Sequence, residues 1–190
     1  MINEMLKLDI QLFTTINRWG KHHKTLDWVM ALASNERFWV PVLAGVIAIG
    51  LYRRDRRLLV FAFIALLAVG ISDYLCYQQF KPFFERVRPC HALHKVRLLQ
   101  AGCGSEFGFP SNHAANAFAT YAAAFYVYRG KWIRLATGMI AGLVSISRVY
   151  LGVHYPGDVL AGAVVGLLVG AASIWILRKS RRFTHLARVG

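Results

Sequence analysis

The segment Ser147-Arg148-Val149-Tyr150-Leu151-Gly152-Val153-His154-Tyr155-Pro156-Gly157-Asp158 places an arginine, a histidine and a carboxylate within twelve residues, at the junction of two apolar stretches. A guanidinium can hold two phosphate oxygens at once. A neutral imidazole can attack phosphorus, and a carboxylate can orient that imidazole. Two other polar clusters lie at the junction of two further apolar stretches. One runs from Lys81 to Pro89 and includes Arg88; the other is Pro110-Ser111-Asn112-His113. Lysine supplies a compact point charge and arginine a planar fork. Ser111 suits a helix N-cap, and the free amides of a helix start attract anions. If all three clusters meet on one side of a membrane, they make a site for phosphoryl transfer without a metal.

The stretches that carry these clusters read as membrane spans. The chain has 190 residues, 56% of them hydrophobic, with a mean hydropathy of +0.41. A bilayer span needs roughly 20 mostly apolar residues. Candidate spans are Trp28 to Tyr52, Leu58 to Phe80, His113 to Tyr128, Trp132 to Ser147 and Val159 to Leu177. The first is interrupted by Asn35, Glu36, Arg37 and Pro41, and the third is short and alanine-rich. The expected fold is all-α: an integral membrane helix bundle of about five spans. Ahead of it, Leu6, Ile10, Phe13 and Asn17 follow helical spacing, as in an amphipathic interfacial helix. Lys7, Asp9 and Arg18 crowd this segment, which weighs against its being a sixth span. Residues 1–190 form one domain, with the motif-bearing core at about 58–177.

The net charge of +14 does not point to nucleic acid, because the charges are segregated. Arg53, Arg54, Arg56 and Arg57 fill one turn, and Arg129, Lys131 and Arg134 surround another. Arg178, Lys179, Arg181, Arg182 and Arg188 follow the last span. With five spans these places share one side, and positive charge marks the cytoplasm. The polar clusters then face the periplasm or exterior. Lys81, Arg86, Arg88, Lys95, Arg97 and Arg148 are cations on that outer side, against the trend. An anionic substrate explains the ones inside the clusters, and headgroup contact explains others.

The long outer loop carries Cys90 and Cys103, which can pair in an oxidising compartment. Such a bridge is worth roughly 3 kcal/mol in the chain-entropy account. Cys90, His91, His94 and Cys103 also offer mixed zinc ligands, although their spacing matches no standard finger; free thiols are the third alternative. Gly162, Gly166 and Gly170 repeat at a spacing that lets helices approach closely; packing within the monomer or dimerisation would use it. Asp73 falls inside a span, where a charge is costly. A motif cation or a helix-end group is its expected partner.

Taken together, the clusters resemble the three signature motifs of the type-2 phosphatidic acid phosphatase superfamily. Lys81 and Arg88-Pro89 match the first motif with its six-residue spacer. Pro110-Ser111-Asn112-His113 matches the second, which normally reads Pro-Ser-Gly-His. Ser147-Arg148, His154 and Asp158 match the third in full. One residue departs from the pattern: Asn112 stands where glycine is usual. Its backbone amide is retained, and its side chain adds bulk near the phosphate.

The resemblance implies a membrane lipid phosphatase without cofactor or metal, in a bacterial cytoplasmic membrane. His154 would be the nucleophile, forming a phosphohistidine. Asp158 would orient it, and His113 would protonate the leaving oxygen and later activate water. Lys81, Arg88, Ser111, the Asn112 amide and Arg148 would bind the phosphoryl oxygens. The lipid bilayer and a lipid phosphate are the expected partners, with no nucleic acid. Undecaprenyl pyrophosphate is the first-choice substrate; lipid A phosphate, phosphatidylglycerol phosphate and phosphatidic acid are the alternatives. A non-catalytic lipid-binding or transport protein is the rival from another class. Intact His113, His154 and Asp158 argue against it, since binding alone needs no nucleophile.

Overall fold

Asp55 shows how local sequence shapes the bundle. Arg54 ends one helix with φ 52°, and Asp55 then caps the next by accepting from the amides of Arg57 and Leu58 at 2.8 and 3.2 Å. A left-handed residue followed by an Asp cap reverses the chain in very few residues. The computed structural model describes residues 2–19 and 23–179. Within them the elements are α1 (Ile2–Arg18), α2 (Lys24–Ala33), α3 (Glu36–Arg53) and α4 (Arg56–Tyr74). A π-helical segment (Leu75–Phe80) leads into α5 (Lys81–Phe84). Then follow α6 (Pro89–Ala92), α7 (Asn112–Val127), α8 (Lys131–Tyr150) and α9 (Pro156–Lys179). The β structure among the described residues is a single antiparallel bridge, Val87 to Phe107.

Each of the five apolar stretches is helical. Three helices are long and apolar enough to cross a bilayer: Arg56–Phe84, α8 and α9. A fourth span arises if α2 and α3, bent by 56° at their junction, count as one. Asn35 makes that bend by capping α3, accepting from the Arg37 amide at 3.0 Å, while Trp39 Nε1 donates to the Ala33 carbonyl at 2.7 Å. The alanine-rich α7 has only 16 residues, yet it is the centre of the bundle, packed against α9, α4 and α8.

Small residues bring α7 and α9 together. A Cβ on Gly162 would lie 3.1 Å from Ala114 Cβ, and one on Gly170 2.6 Å from Ala122 Cβ. The glycine stripe is therefore spent inside the monomer, where close backbone approach replaces side-chain bulk. Phe61 and Tyr128, next to the two basic turns, have ring centroids 5.9 Å apart. The basic turns thus share one end of the bundle, and the three polar clusters lie at the other. Arg181, Arg182 and Arg188 lie outside the described residues.

The N-terminal helix α1 lies at the cluster end, against α8 and α9. Phe13 and Asn17 face inward, while Met5, Leu8 and Leu12 are exposed. Leu6 and Ile10, on the expected inner face by spacing, are also exposed. Asn17 donates to the carbonyls of Arg97 and Tyr150 at 2.9 and 2.8 Å and so fastens the outer loop to the end of α8.

Candidate active site

Three local devices deliver the side chains. The helix begun at Arg56 runs on through its π segment to Phe84, so Lys81 lies on a helix and not in a loop. A π segment adds a residue per turn and so turns the residues that follow it; such segments recur at functional sites. Glu85, at φ 46°, ends the helix. Arg86 to Arg88 then pair with the segment at Glu106 to Gly108: the Arg88 amide donates to Glu106 O at 3.0 Å and the Gly108 amide to Arg86 O at 2.8 Å. Finally, the amides of Val153 and His154 both donate to the Arg148 carbonyl, folding the third motif back on itself.

His154 is 2% exposed and Asp158 fully buried. Arg88 Nη1 lies 2.9 Å from His154 Nε2. Arginine can only donate, so Nε2 is the acceptor and the ring proton is on Nδ1. That nitrogen faces Asp158 Oδ2 at 3.4 Å. This is the tautomer a nucleophilic Nε2 requires. Burial, and then the charges of Arg88, Arg148 and Lys81, hold His154 well below the usual imidazole range, so the ring is neutral.

Arg88 is fixed by more than the histidine. Its Nε donates to Ser105 O at 2.6 Å and its Nη1 to Val153 O at 3.2 Å. Arg148 donates to Ser34 Oγ and, at 3.2 Å, to Gln100 Oε1. His113 Nε2 lies 3.2 Å from the Ser34 carbonyl and 3.4 Å from Glu36. The break between α2 and α3 thus forms one wall of the site. Lys81 is buried, its ammonium 4.9 Å from the centre of the Tyr77 ring.

Ser111 occupies the N-cap position of α7, but its hydroxyl makes no cap bond. Its Oγ is buried with no protein partner, and its amide donates to Asp158 O at 2.9 Å. The second and third motifs are thereby tied backbone to backbone. Asn112 turns its side chain away to α4, where Nδ2 donates to Asp73 at 2.7 Å. Asp73 therefore has a helix-end partner but no motif cation.

Several residues that the fold brings here were not among the candidate site residues. Arg86 Nη1 donates to Asp158 Oδ1 at 2.7 Å, and its Nη2 to Asp9 of α1 at 2.5 Å. Asp9 also accepts from the Gly157 amide at 2.8 Å. Gly108 lies against the centre: a Cβ there would be 3.1 Å from Asp158 Oδ2 and 3.0 Å from Arg88 Cγ. Arg86 could have been singled out by its place inside the first cluster. Asp9, Ser34 and Gly108 offered no such hint.

In the outer loop Cys90 and Cys103 are bonded, with Cα atoms 6.0 Å apart. Both thiols are thereby removed from the mixed zinc set. Among the described residues no group of three or more His, Cys, Asp or Glu could hold a metal ion. His91, on α6, and His94, in the loop after it, are both exposed. Arg97 pairs with Asp27 at 2.6 Å and serves to anchor the loop.

The PAP2 superfamily model matches residues 57–182, which include all three clusters. The chain belongs to the PAP2 superfamily. This PAP2 chain is 30% identical to the lipid A 4'-phosphatase of Bacteroides thetaiotaomicron over 94% of its own length and 81% of that protein. It is 30% identical to an undecaprenyl-diphosphatase of Sulfolobus acidocaldarius, covering 88% of this chain and 78% of that one. Its fold is similar to the crystal structure of a transmembrane PAP2 type phosphatidylglycerolphosphate phosphatase from Bacillus subtilis. The TM-score is 0.74 at 28% identity, covering 95% of this chain and 90% of the other. An integral membrane PAP2 fold accounts for both the apolar helices and the buried cations gathered at one end of the bundle.

Proposed function

We propose that this chain, a membrane PAP2 hydrolase of lipid phosphate esters, removes phosphate from a phosphorylated glycolipid of the lipid A kind. The reaction would take place at the periplasmic or outer face of a bacterial cytoplasmic membrane. Segregation of the basic turns to the opposite end of the bundle supports that orientation. Similarity to a lipid A 4'-phosphatase over 94% of the chain supports the substrate.

The observation that carries the chemistry is the neutral His154, with Asp158 on one ring nitrogen and a guanidinium on the other. In the proposed reaction His154 Nε2 attacks phosphorus while Arg88 moves its hydrogen bond from that nitrogen to a phosphoryl oxygen. The bond to the lipid oxygen breaks, and His113 gives that oxygen a proton. Asp158 stabilises the positive charge that develops on the imidazole. Lys81, Arg148, the Asn112 amide and Ser111 Oγ take the remaining phosphoryl oxygens. The buried, unpartnered Ser111 hydroxyl fits that task. Water, deprotonated by His113, then attacks the phosphohistidine, releasing phosphate and restoring both histidines.

Undecaprenyl pyrophosphate, the first expectation from sequence, is the second reading, and similarity to the Sulfolobus undecaprenyl-diphosphatase favours it. Phosphate release by the purified protein from lipid A, undecaprenyl pyrophosphate, phosphatidylglycerol phosphate and phosphatidic acid separates these readings. The expected order puts lipid A first. Release from undecaprenyl pyrophosphate at a higher kcat/KM would reverse it. Binding of these lipids with no release from any would leave a lipid-binding protein.

A further inference from the structure

Asp73 is an exposed carboxylate on α4, and it lies among side chains that face the bilayer. Ile71, Tyr74 and Tyr77 around it are exposed too. A charge in such a place is costly and calls for a partner. Among the described residues it makes no ion pair. What holds it is a pair of amides one helical turn apart on α7. Asn112 Nδ2 donates to Oδ1 at 2.7 Å and Asn116 Nδ2 to the same oxygen at 3.3 Å. Amides orient a carboxylate but do not neutralise it. Oδ2 has no donor among the described residues.

The position is as telling as the chemistry. Asn112 stands between Ser111 and His113, so the carboxylate is tethered next to the groups assigned to the phosphate and to the leaving oxygen. A second phosphate placed here would meet a fixed negative charge. A hydroxyl, an amide N–H or an ammonium would meet an oriented acceptor.

We propose that Asp73, held by Asn112 and Asn116, is a recognition site for hydrogen-bond donors that the substrate lipid carries beside its phosphate. The proposal rests on the lipid phosphatase reading and narrows it to donor-bearing lipids. It also gives the asparagine at position 112 a task that glycine could not perform: aiming the carboxylate.

Ceramide 1-phosphate and phosphatidic acid of equal chain length make a matched pair. Both are two-tailed phosphomonoesters, but only the ceramide has an amide N–H and a hydroxyl near the phosphate. The full-length protein in mixed micelles is assayed on each, and farnesyl pyrophosphate serves as a third probe. The wild type should prefer the ceramide. In Asp73→Asn the ceramide to phosphatidic acid ratio of kcat/KM should fall about tenfold, the scale of one charge-assisted hydrogen bond, and relative activity on the pyrophosphate should rise. An unchanged ratio, or an equal fall on all three lipids, would overturn the proposal. If Asp73→Asn does not accumulate as folded protein, Asn116→Ala, which loosens the tether, must shift the ratio in the same direction; an unchanged ratio there is equally fatal. A wild type that releases phosphate from lipid A but from none of the probes would overturn this inference alone; one that releases it from neither would bring down the phosphatase reading as well.

Discussion

Arg86, inside the first polar cluster, binds Asp158 at 2.7 Å on the carboxylate oxygen opposite the one that faces His154. The same guanidinium reaches Asp9 on α1. An N-terminal surface helix thereby bears on the residue proposed to orient the nucleophile. Arg86→Ala should lower kcat about 10- to 100-fold, the scale seen when an orienting partner is lost, with KM little changed. Arg86→Lys should recover part of the loss, and Asp9→Asn, which can still accept a hydrogen bond, should cost less. Steady-state kinetics on one lipid phosphate check this. A rise in KM at constant kcat would mean that Arg86 acts on substrate binding instead.

Gly108 should tolerate no side chain. A Cβ there approaches both Arg88 and Asp158 closer than ordinary contact allows. The Arg88 contact is a side-chain stem held at both ends, which leaves it little room to yield. Gly108→Ala should destabilise the fold by about 1–3 kcal/mol, the usual cost of overpacking, and reduce turnover more than lipid binding. Thermal unfolding in detergent and kinetics on the same preparation test both parts. Full activity at unchanged stability would contradict the close approach.

The neutral state of His154 links stability to pH. An unfolded histidine titrates near 6.5, whereas in the fold burial first, and then Arg88, Arg148 and Lys81, keep the ring well below that. Between those two values the unfolded chain binds the proton and the folded one does not. Stability from this group is therefore full above pH 6.5 and falls as the pH drops below it. The slope is at most about 1.4 kcal/mol per pH unit. Denaturant unfolding at pH 7.5 and pH 5.0 should show a smaller pH loss for His154→Gln than for the wild type. Equal losses would mean that the folded ring accepts a proton normally.

Turnover should require His154 and no metal. His154→Ala should abolish phosphate release while the protein still inserts, and EDTA should leave the wild type active. Activity lost in EDTA and restored by zinc or magnesium would defeat the metal-free mechanism.

Orientation is open to labelling. In a background without the native cysteines, an impermeant thiol reagent on intact cells should label Lys95→Cys and leave Asp55→Cys untouched. The reverse pattern would turn the site to the cytoplasm.

The three clusters were legible in the sequence because each is local. His154 and Asp158 are one helical turn apart, and Ser111 and His113 are separated by a single residue. Apolar runs mark the helices in one dimension, so the helical membrane class followed as well. Tertiary structure decided what joins those pieces. Arg86 meets Asp158 across 72 residues and Asp9 across 77, and Asn112 meets Asp73 across 39. Pairings at such separations leave no periodicity to read. Glycine at 108 looks like any loop glycine until Arg88 and Asp158 are packed against it. The 56° bend that brings Ser34 to Arg148 and His113 was visible only as a polar interruption. Sequence left Cys90 and Cys103 open between a bridge, a metal site and free thiols, since composition cannot tell whether two sulfurs approach. It singled out the groups proposed to transfer a phosphoryl group, because side-chain chemistry and short spacing are written along the chain. Which groups hold them in place was decided only when the helices packed, because that depends on distances in space between residues far apart in the sequence.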